Sequence, residues 1–417
     1  DESIPAFLGP IRRLRVSEPD WSELETALCG ALDRGEFELY FQAKGDLHNG
    51  RVAGAEALLR WRRGGRLTSP CEFIATAEHS GLIVRIGAWV IDNACARLRA
   101  WADQGFGESR LAVNVSARQF HAGDLERVVE EALRRHGVKP ACLELELTES
   151  MLMADPEATV ATLRRLKTIG VKLSLDDFGT GYSCFAYLCR FPIDTLKIDQ
   201  SFVRAMVTEA NTASIVAAII DLAHRLRLHV VAEGVEHEAQ LAYLRRLGCD
   251  EIQGYLFSQP LPEADYLAML AAGKRLPDQR DPADGGRTLL LVDDEPGILA
   301  ALRRMFRQED YRILTAESAA QGLELLALED VQVVISDQRM PGMSGTEFLT
   351  RVKDMHPDCL RIILSGQADM ASVLDAINDG AVYKFFTKPW DDDQLRARVR
   401  EAFRVQAALA NGKTPQP

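Results

Sequence analysis

The sequence predicts an α/β chain of two units: a (β/α)8 barrel of the TIM type, followed by a smaller doubly wound parallel sheet of flavodoxin-like form. Three observations carry this reading. Up to about residue 272, eight short β-type runs alternate with longer helical patterns over ~250 residues, the pattern of a barrel. A polar stretch from Ala272 to Gly286 then interrupts the apolar periodicity with two Pro and three Gly. Beyond it, apolar strand-like runs restart, and their ends carry acids, a serine and a lysine.

The candidate barrel strands are Glu38–Phe41, Val52–Leu58, Leu111–Val115, Leu143–Leu147, Val171–Leu175, Thr195–Ile198, Val230–Ala232 and Glu251–Gln253. Helical patterns lie between them at Phe73–His79, Ala88–Gln104, Leu125–His136, Pro156–Ile169, Ala213–Arg225 and Glu238–Leu247. The second unit shows strand runs at Thr288–Val292, Val331–Ser336, Arg361–Leu364 and Val382–Phe386. The expected organisation is a lead-in over 1–21, a barrel over 22–272, a linker over 273–287 and the second domain over 288–410.

Composition narrows the function classes. At 417 residues, with 47% hydrophobic and 26% charged residues, the chain reads as globular. A formal net charge of -12 argues against a broad grip on DNA or RNA, which needs clustered Lys and Arg. Carboxylates gathered for divalent cations would contribute to that charge. The eight cysteines are scattered without a C-x-x-C pair, so a disulfide framework is not expected, and a reducing, cytoplasmic setting is. No apolar run approaches the ~20 residues of a membrane span. The first residues show no signal peptide, and without an initiating Met they suggest a piece of a longer protein.

More specific is what closes each barrel run. Glu56, Asn114 and Glu146 sit within or near the ends of the second to fourth. Asp176 and Asp177 follow the fifth, Lys197 lies in the sixth, Glu233 follows the seventh and Gln253 ends the eighth. Strand ends converge on one mouth of a barrel, where its chemistry resides. Five carboxylates gathered there repel one another unless cations are bound, and hard oxygen ligands suit Mg2+ or Mn2+ better than Zn2+. Two such ions can hold a phosphodiester, activate water and stabilise the leaving oxygen. Taken singly, each acid reads equally as a polar strand end or a helix cap.

These residues fall in blocks that resemble the EAL family. Glu56-Ala57-Leu58-Leu59-Arg60-Trp61 is similar to its naming signature. Asn114-Val115-Ser116, Glu146-Leu147-Thr148-Glu149, Asp176-Asp177-Phe178-Gly179-Thr180-Gly181-Tyr182, Lys197-Ile198-Asp199, Glu233-Gly234-Val235-Glu236 and Gln253-Gly254-Tyr255 follow in the family's order. The resemblance runs from about Trp21 to about Leu270. It implies a modified barrel with one antiparallel strand, hydrolysis of cyclic di-GMP to linear pGpG, and a homodimer formed through this domain. It also implies roles. Glu56, Asn114, Glu146 and Asp176 would hold one ion, and Asp176, Asp177 and Glu233 the other. Lys197 would orient or polarise the attacking water, and Gln253 would position a water on the metal. Gln42 and Arg60 would contact substrate, Arg60 through its planar fork. Glu149 would steady the loop after the fifth strand, or serve only as a helix N-cap. Glu236 reads as a surface carboxylate at a helix start, and Asp199 stays open.

Two departures stand out. The family's Tyr-Gln-Pro-Lys is here Phe41-Gln42-Ala43-Lys44, which removes no ligand. After the glycine-rich loop, Ser183 is followed by Cys184 and Phe185 in place of Ser and Leu, in a loop implied to couple the metal site to the dimer interface.

The second unit resembles a response-regulator receiver domain over about 288 to 405, through Asp293-Asp294, Asp337-Gln338-Arg339-Met340-Pro341-Gly342, Ser365 and Lys388-Pro389. The resemblance implies one divalent ion on Asp294, Asp337 and the Arg339 carbonyl, with Asp293 acting through water. Asp337 would be the phosphoacceptor for a partner histidine kinase, and Ser365 and Lys388 would hold the new phosphate. Phe385 occupies the switch-aromatic position, or is a core residue. The combined expectation is a metal-dependent phosphodiesterase tuned by phosphorylation. The rivals are a barrel that senses cyclic di-GMP without cleaving it, a receiver-driven scaffold, and an enzyme acting on the linear dinucleotide.

Overall fold

A computed structural model describes residues 21–107, 109–179, 188–277, 287–366, 376–377 and 379–410. The lead-in up to residue 20, linker positions 278–286, Cys184 and Phe185 lie outside the described residues. The first unit contains β1 (Phe37–Asp46), β2 (Val52–Arg63), β3 (Arg66–Thr68), β4 (Leu111–Asn114), β5 (Leu143–Thr148), β6 (Lys172–Phe178), β7 (Thr195–Ile198), β8 (His229–Ala232), β9 (Glu251–Gln253) and β10 (Leu261–Pro262). Eight of these close a ring in the order β1, β2, β4, β5, β6, β7, β8, β9, and β9 pairs back onto β1. Each of the eight anticipated runs falls on a ring strand. The antiparallel member is β1, which opposes both β2 and β9, while the other ring pairings are parallel. Short β3 and β10 extend β2 and β1.

Alternation along the strands decides what faces the barrel axis, because successive side chains point to opposite faces. In β5, Leu143, Leu145 and Leu147 are fully buried in the hydrophobic core, while Glu144 and Glu146 take the other face. The same two-residue spacing recurs in Gln42 and Lys44, Ser174 and Asp176, Thr195 and Lys197, and Glu251 and Gln253, all buried. The barrel axis is therefore lined with polar and charged groups, and the apolar packing lies outside, between ring and helices. At the closure, Phe41 of β1 meets Trp101 edge-on at 4.9 Å, and Trp101 meets Tyr266 at 5.1 Å. Those rings clamp helices Leu82–Asp103 and Glu263–Ala271 onto the antiparallel strand, with Trp101 Nε1 donating to Glu263 Oε1 at 3.0 Å.

The second unit is a five-stranded parallel sheet in the order β12, β11, β13, β14, β15. Its strands are β11 (Arg287–Val292), β12 (Tyr311–Ala316), β13 (Val333–Asp337), β14 (Leu360–Ser365) and β15 (Lys384–Thr387). Leu290, Val292, Val334 and Ile363 face helices Ala319–Leu328 and Gly345–Met355. Leu289, Leu291, Val333, Ile335, Ile362 and Leu364 face helices Pro296–Met305 and Asp392–Ala410. This is the doubly wound form expected. The edge strand β12 was not anticipated, because Tyr311-Arg312-Ile313-Leu314-Thr315 is mostly half-buried and lacks a continuous apolar signal.

The two units pack together. Helix Ala319–Leu328 lies against barrel helix Glu238–Arg246, and helix Gly345–Met355 against Ala210–Arg225. Ala327, Leu328 and Met355 join the barrel's hydrophobic cluster. Arg351 Nη1 donates to the Thr208 carbonyl at 2.5 Å, and Arg246 Nη1 to the Leu326 carbonyl at 3.3 Å.

Candidate active site

The polar ring residues meet around one ammonium group. Lys197, almost fully buried on β7, lies 2.8 Å from Glu146 Oε2, 2.5 Å from Glu233 Oε1, 3.2 Å from Asp176 Oδ1 and 3.9 Å from Glu56 Oε2. Glu56 also accepts from Asn114 Nδ2 and Gln253 Nε2, each at 2.5 Å. Gln253 Nε2 donates further to Gln42 Oε1 at 3.1 Å, and Gln42 Nε2 to the Ser258 carbonyl at 3.0 Å. The Oε1 of Gln253 is buried without a hydrogen-bond partner among the described residues. An unanswered buried acceptor costs about 1–3 kcal/mol, which points to a partner that the protein itself does not supply.

Charge balance gives the same answer. Burial raises Glu56 and Asp176 above the usual carboxylate range, and their like-charged neighbours add to this. Burial, opposed by Lys197, pushes Glu233 up to about 8. Glu146 differs. Burial would raise it too, but Lys197 and Lys44 together outweigh that and hold it at about 2. Asp177, at φ 55, sits in the left-handed region that non-glycine residues rarely adopt. One oxygen each from Asp176, Asp177 and Glu233 lie within 4.8 Å of one another, a spacing that can take a cation. Hard oxygen donors in this arrangement fit Mg2+ or Mn2+.

A cavity of about 310 Å³ opens over these groups and is lined by Gln42, Glu56, Asp176, Lys197, Glu233 and Gln253. Gln200, Arg204, Glu236 and Tyr255 line it as well and were not assigned to the site from sequence. Glu236 is thus a wall of the mouth, 3.4 Å from Arg204, and the following helix begins only at Glu238. Gln200 and Arg204 had a readable signal, since their helix Gln200–Ala205 starts two residues beyond β7. Arg60 donates to the Leu59 carbonyl at 2.8 Å and lies over the Tyr40 ring. The Glu149 carboxylate accepts from Gly179 N at 3.2 Å, across the gap to β6, and makes no cap for its own short helix.

In the second unit, Lys388 Nζ lies 2.5 Å from Asp337 Oδ1 and 3.0 Å from Asp293 Oδ2. Burial raises Asp293 even though Lys388 opposes it. Asp337 Oδ2 accepts from Arg339 N at 2.9 Å, and Asp293 Oδ1 from Glu295 N at 2.9 Å. Asp294 is half-buried beside them, and Ser365, buried at the end of β14, donates to the Gly366 carbonyl. Phe385 is 37% exposed, which removes the core reading for it. Gly345 is required behind this site, because a Cβ there would stand 2.0 Å from the Asp337 carbonyl oxygen.

Fold and site together define a two-domain α/β protein: an acid-mouthed barrel closed by one antiparallel strand, joined to a doubly wound domain whose acids converge on a lysine. The chain belongs to the EAL family. The EAL domain model matches residues 23–260, and the response regulator receiver domain model matches residues 289–400. The bifunctional diguanylate cyclase/cyclic di-GMP phosphodiesterase MucR of Pseudomonas aeruginosa is 46% identical over 242 residues, covering 58% of this chain and 35% of that protein. The cyclic di-GMP phosphodiesterase PdeR of Escherichia coli is 39% identical over 258 residues, covering 62% and 38%. The chain thus spans roughly a third of the length of these curated relatives. A solved MucR phosphodiesterase complex with cyclic di-GMP shares 44% identity and a TM-score of 0.57, over 58% of this chain and 99% of that one.

Proposed function

We propose that the barrel hydrolyses cyclic di-GMP to linear pGpG with divalent cations, and that phosphorylation of Asp337 tunes the rate. The observation that carries this reading is the single Lys197 ammonium reaching three buried carboxylates and the half-buried Glu233, an excess of negative charge suited to cations. Asp176, Asp177 and Glu233 would hold one ion, and Glu56, Asn114, Glu146 and Asp176 the other. Bound there, the ions would supply Lewis-acid polarisation of the phosphodiester and a nucleophile at neutral pH. Lys197 orients the attacking water through its ammonium. Gln253, with its free acceptor, holds a second water in register. Arg60 and Gln42 would turn to the substrate, and Glu149 keeps the entry to the following loop fixed through Gly179.

On the receiver side, one divalent ion on Asp294 and Asp337 and phosphoryl transfer from a histidine kinase form the input. The packing of helix Gly345–Met355 supports a route to the barrel. It begins beside Asp337 and carries Arg351, whose partner Thr208 lies four residues past Arg204 in the cavity wall. The barrel domain would act as a homodimer in a cytoplasmic setting. The described cysteines are unpaired, and no described helix is long and apolar enough to cross a membrane.

The test is purified protein incubated with cyclic di-GMP and Mg2+, Mn2+ or chelator, with products separated and a phosphoryl donor present or absent. Metal-dependent pGpG formation whose rate changes with the donor supports the reading. Binding without cleavage replaces it with the sensor, cleavage of only the linear dinucleotide replaces the substrate, and indifference to the donor removes the tuning.

A further inference from the structure

Lys44 appears in no step above, yet it is one of the most completely enclosed charges in the barrel, at 3% exposure. Its position follows from the reversed direction of β1. On the parallel strands the residue two places before a mouth residue lies deeper in the barrel. On antiparallel β1 it is the residue two places after Gln42 that goes down, and that residue is Lys44. Its ammonium lies 2.8 Å from Glu146 Oε1 and 3.9 Å from Glu144 Oε2 in the layer beneath.

Glu146 therefore carries a cation on each oxygen, and the two are not equivalent. Lys197, on Oε2, also contacts Glu233 and Asp176, so it stands where divalent ions would be drawn. Lys44, on Oε1, faces away from those acids toward Glu144. The cavity at the mouth is lined by the first ammonium's residue, Lys197, whereas Lys44 is not among its lining residues.

We infer that Lys44 is a positioning residue for the barrel's metal site, pinning Glu146 Oε1 so that only Oε2 is presented to an incoming cation. The inference rests on the metal-dependent reading above. Residues that hydrogen-bond to ligating groups typically change metal affinity by roughly 10–100-fold when removed. A purely structural lysine, present only to neutralise Glu144, would affect folding and leave affinity alone.

The experiment is Mn2+ titration of the full chain by calorimetry, with the wild type, Lys44→Met and Glu144→Gln. Lys44→Met is expected to weaken Mn2+ binding by roughly 10–100-fold, and to raise the Mn2+ needed for half-maximal hydrolysis more than it lowers the rate at saturating Mn2+. Glu144→Gln, which leaves the Lys44–Glu146 contact in place, is expected to stay within about threefold of wild type. Where Lys44→Met alone does not fold, Lys44→Met/Glu144→Gln removes the abandoned lower carboxylate and is read in its place. Affinity within about threefold of wild type in the folded variant overturns the inference and leaves the metal reading standing. A wild-type chain that takes up no Mn2+ overturns both.

Discussion

Replacing Lys197 by Met is the perturbation that separates a charge-compensated mouth from an ordinary polar one. The ammonium is nearly fully enclosed and lies within 3.2 Å of Glu146, Glu233 and Asp176. Removing one partner of a buried charge set costs about 3–5 kcal/mol, because the remaining charges lose their compensation. For a domain near 250 residues, where 1 kcal/mol moves the melting temperature by about 2–4 °C, the metal-free variant should melt on the order of 6–20 °C lower. Glu233, pushed up to about 8 by burial against the opposing Lys197, rises further once the ammonium is gone. The variant's native state then holds a proton that the wild type releases, so the part of the deficit carried by Glu233 should grow as pH rises past about 8. Mn2+ should close much of the gap, since a ligand at a hundredfold excess over its Kd stabilises by about 2.7 kcal/mol. The rescued protein should still hydrolyse cyclic di-GMP poorly, because cations restore charge balance but not the group that orients water. Thermal melts of both proteins with chelator and with Mn2+ decide the matter. A metal-free Lys197→Met melting within about 2 °C of wild type would refute the reasoning.

Three further outcomes are expected. Gly254→Ala places a Cβ 2.2 Å from the Val235 carbonyl oxygen, and should cost about 1–3 kcal/mol in denaturant melts while lowering hydrolysis by displacing Gln253. Arg351→Met removes the contact to Thr208; basal hydrolysis should persist while its response to a phosphoryl donor is lost, measured as the ratio of rates with and without donor. His356, beside the interdomain contact, is lowered to about 4 by burial and by Arg246. The unfolded state takes up the proton first, so roughly 2–3 kcal/mol of stability should disappear as pH falls from about 6.5 to 4, and His356→Gln should flatten that slope in pH-dependent melts.

Much of this was legible because two periodicities were written plainly into the chain. Leucines at every second position of β5 mark the outward face, and the intervening Glu144 and Glu146 then have to point to the axis. Strand ends carrying Glu56, Asp176, Lys197, Glu233 and Gln253 converge by topology alone, with no need to know any side-chain angle. What escaped depends on relations that a linear reading does not contain. β12 lies at a sheet edge, where partial exposure dilutes its apolar signal. Gln200 and Arg204 belong to a helix whose axis decides whether they face the mouth. Docking of the second unit on the barrel helices rests on Ala327, Leu328 and Met355, which look like any other core residues until the partner helices are known.

The order of the domains acquires a physical meaning from that docking. Helix Gly345–Met355 starts beside Asp337: a Cβ on Gly345 would stand 2.0 Å from the Asp337 carbonyl oxygen, and Gly345 N donates to the Gln338 carbonyl at 2.9 Å. Its far half holds Thr208 through Arg351, and Thr208 ends the segment that begins with Lys197 and runs through Gln200 and Arg204. A charge added at Asp337 therefore has a short, continuous path of packed backbone to the cavity wall, and the path bypasses the linker. Lengthening the linker by several Gly-Ser pairs should leave the donor's effect on hydrolysis intact as long as Arg351 keeps its partner. Loss of that effect in the lengthened protein, with Arg351 unchanged, would show instead that the linker carries the signal.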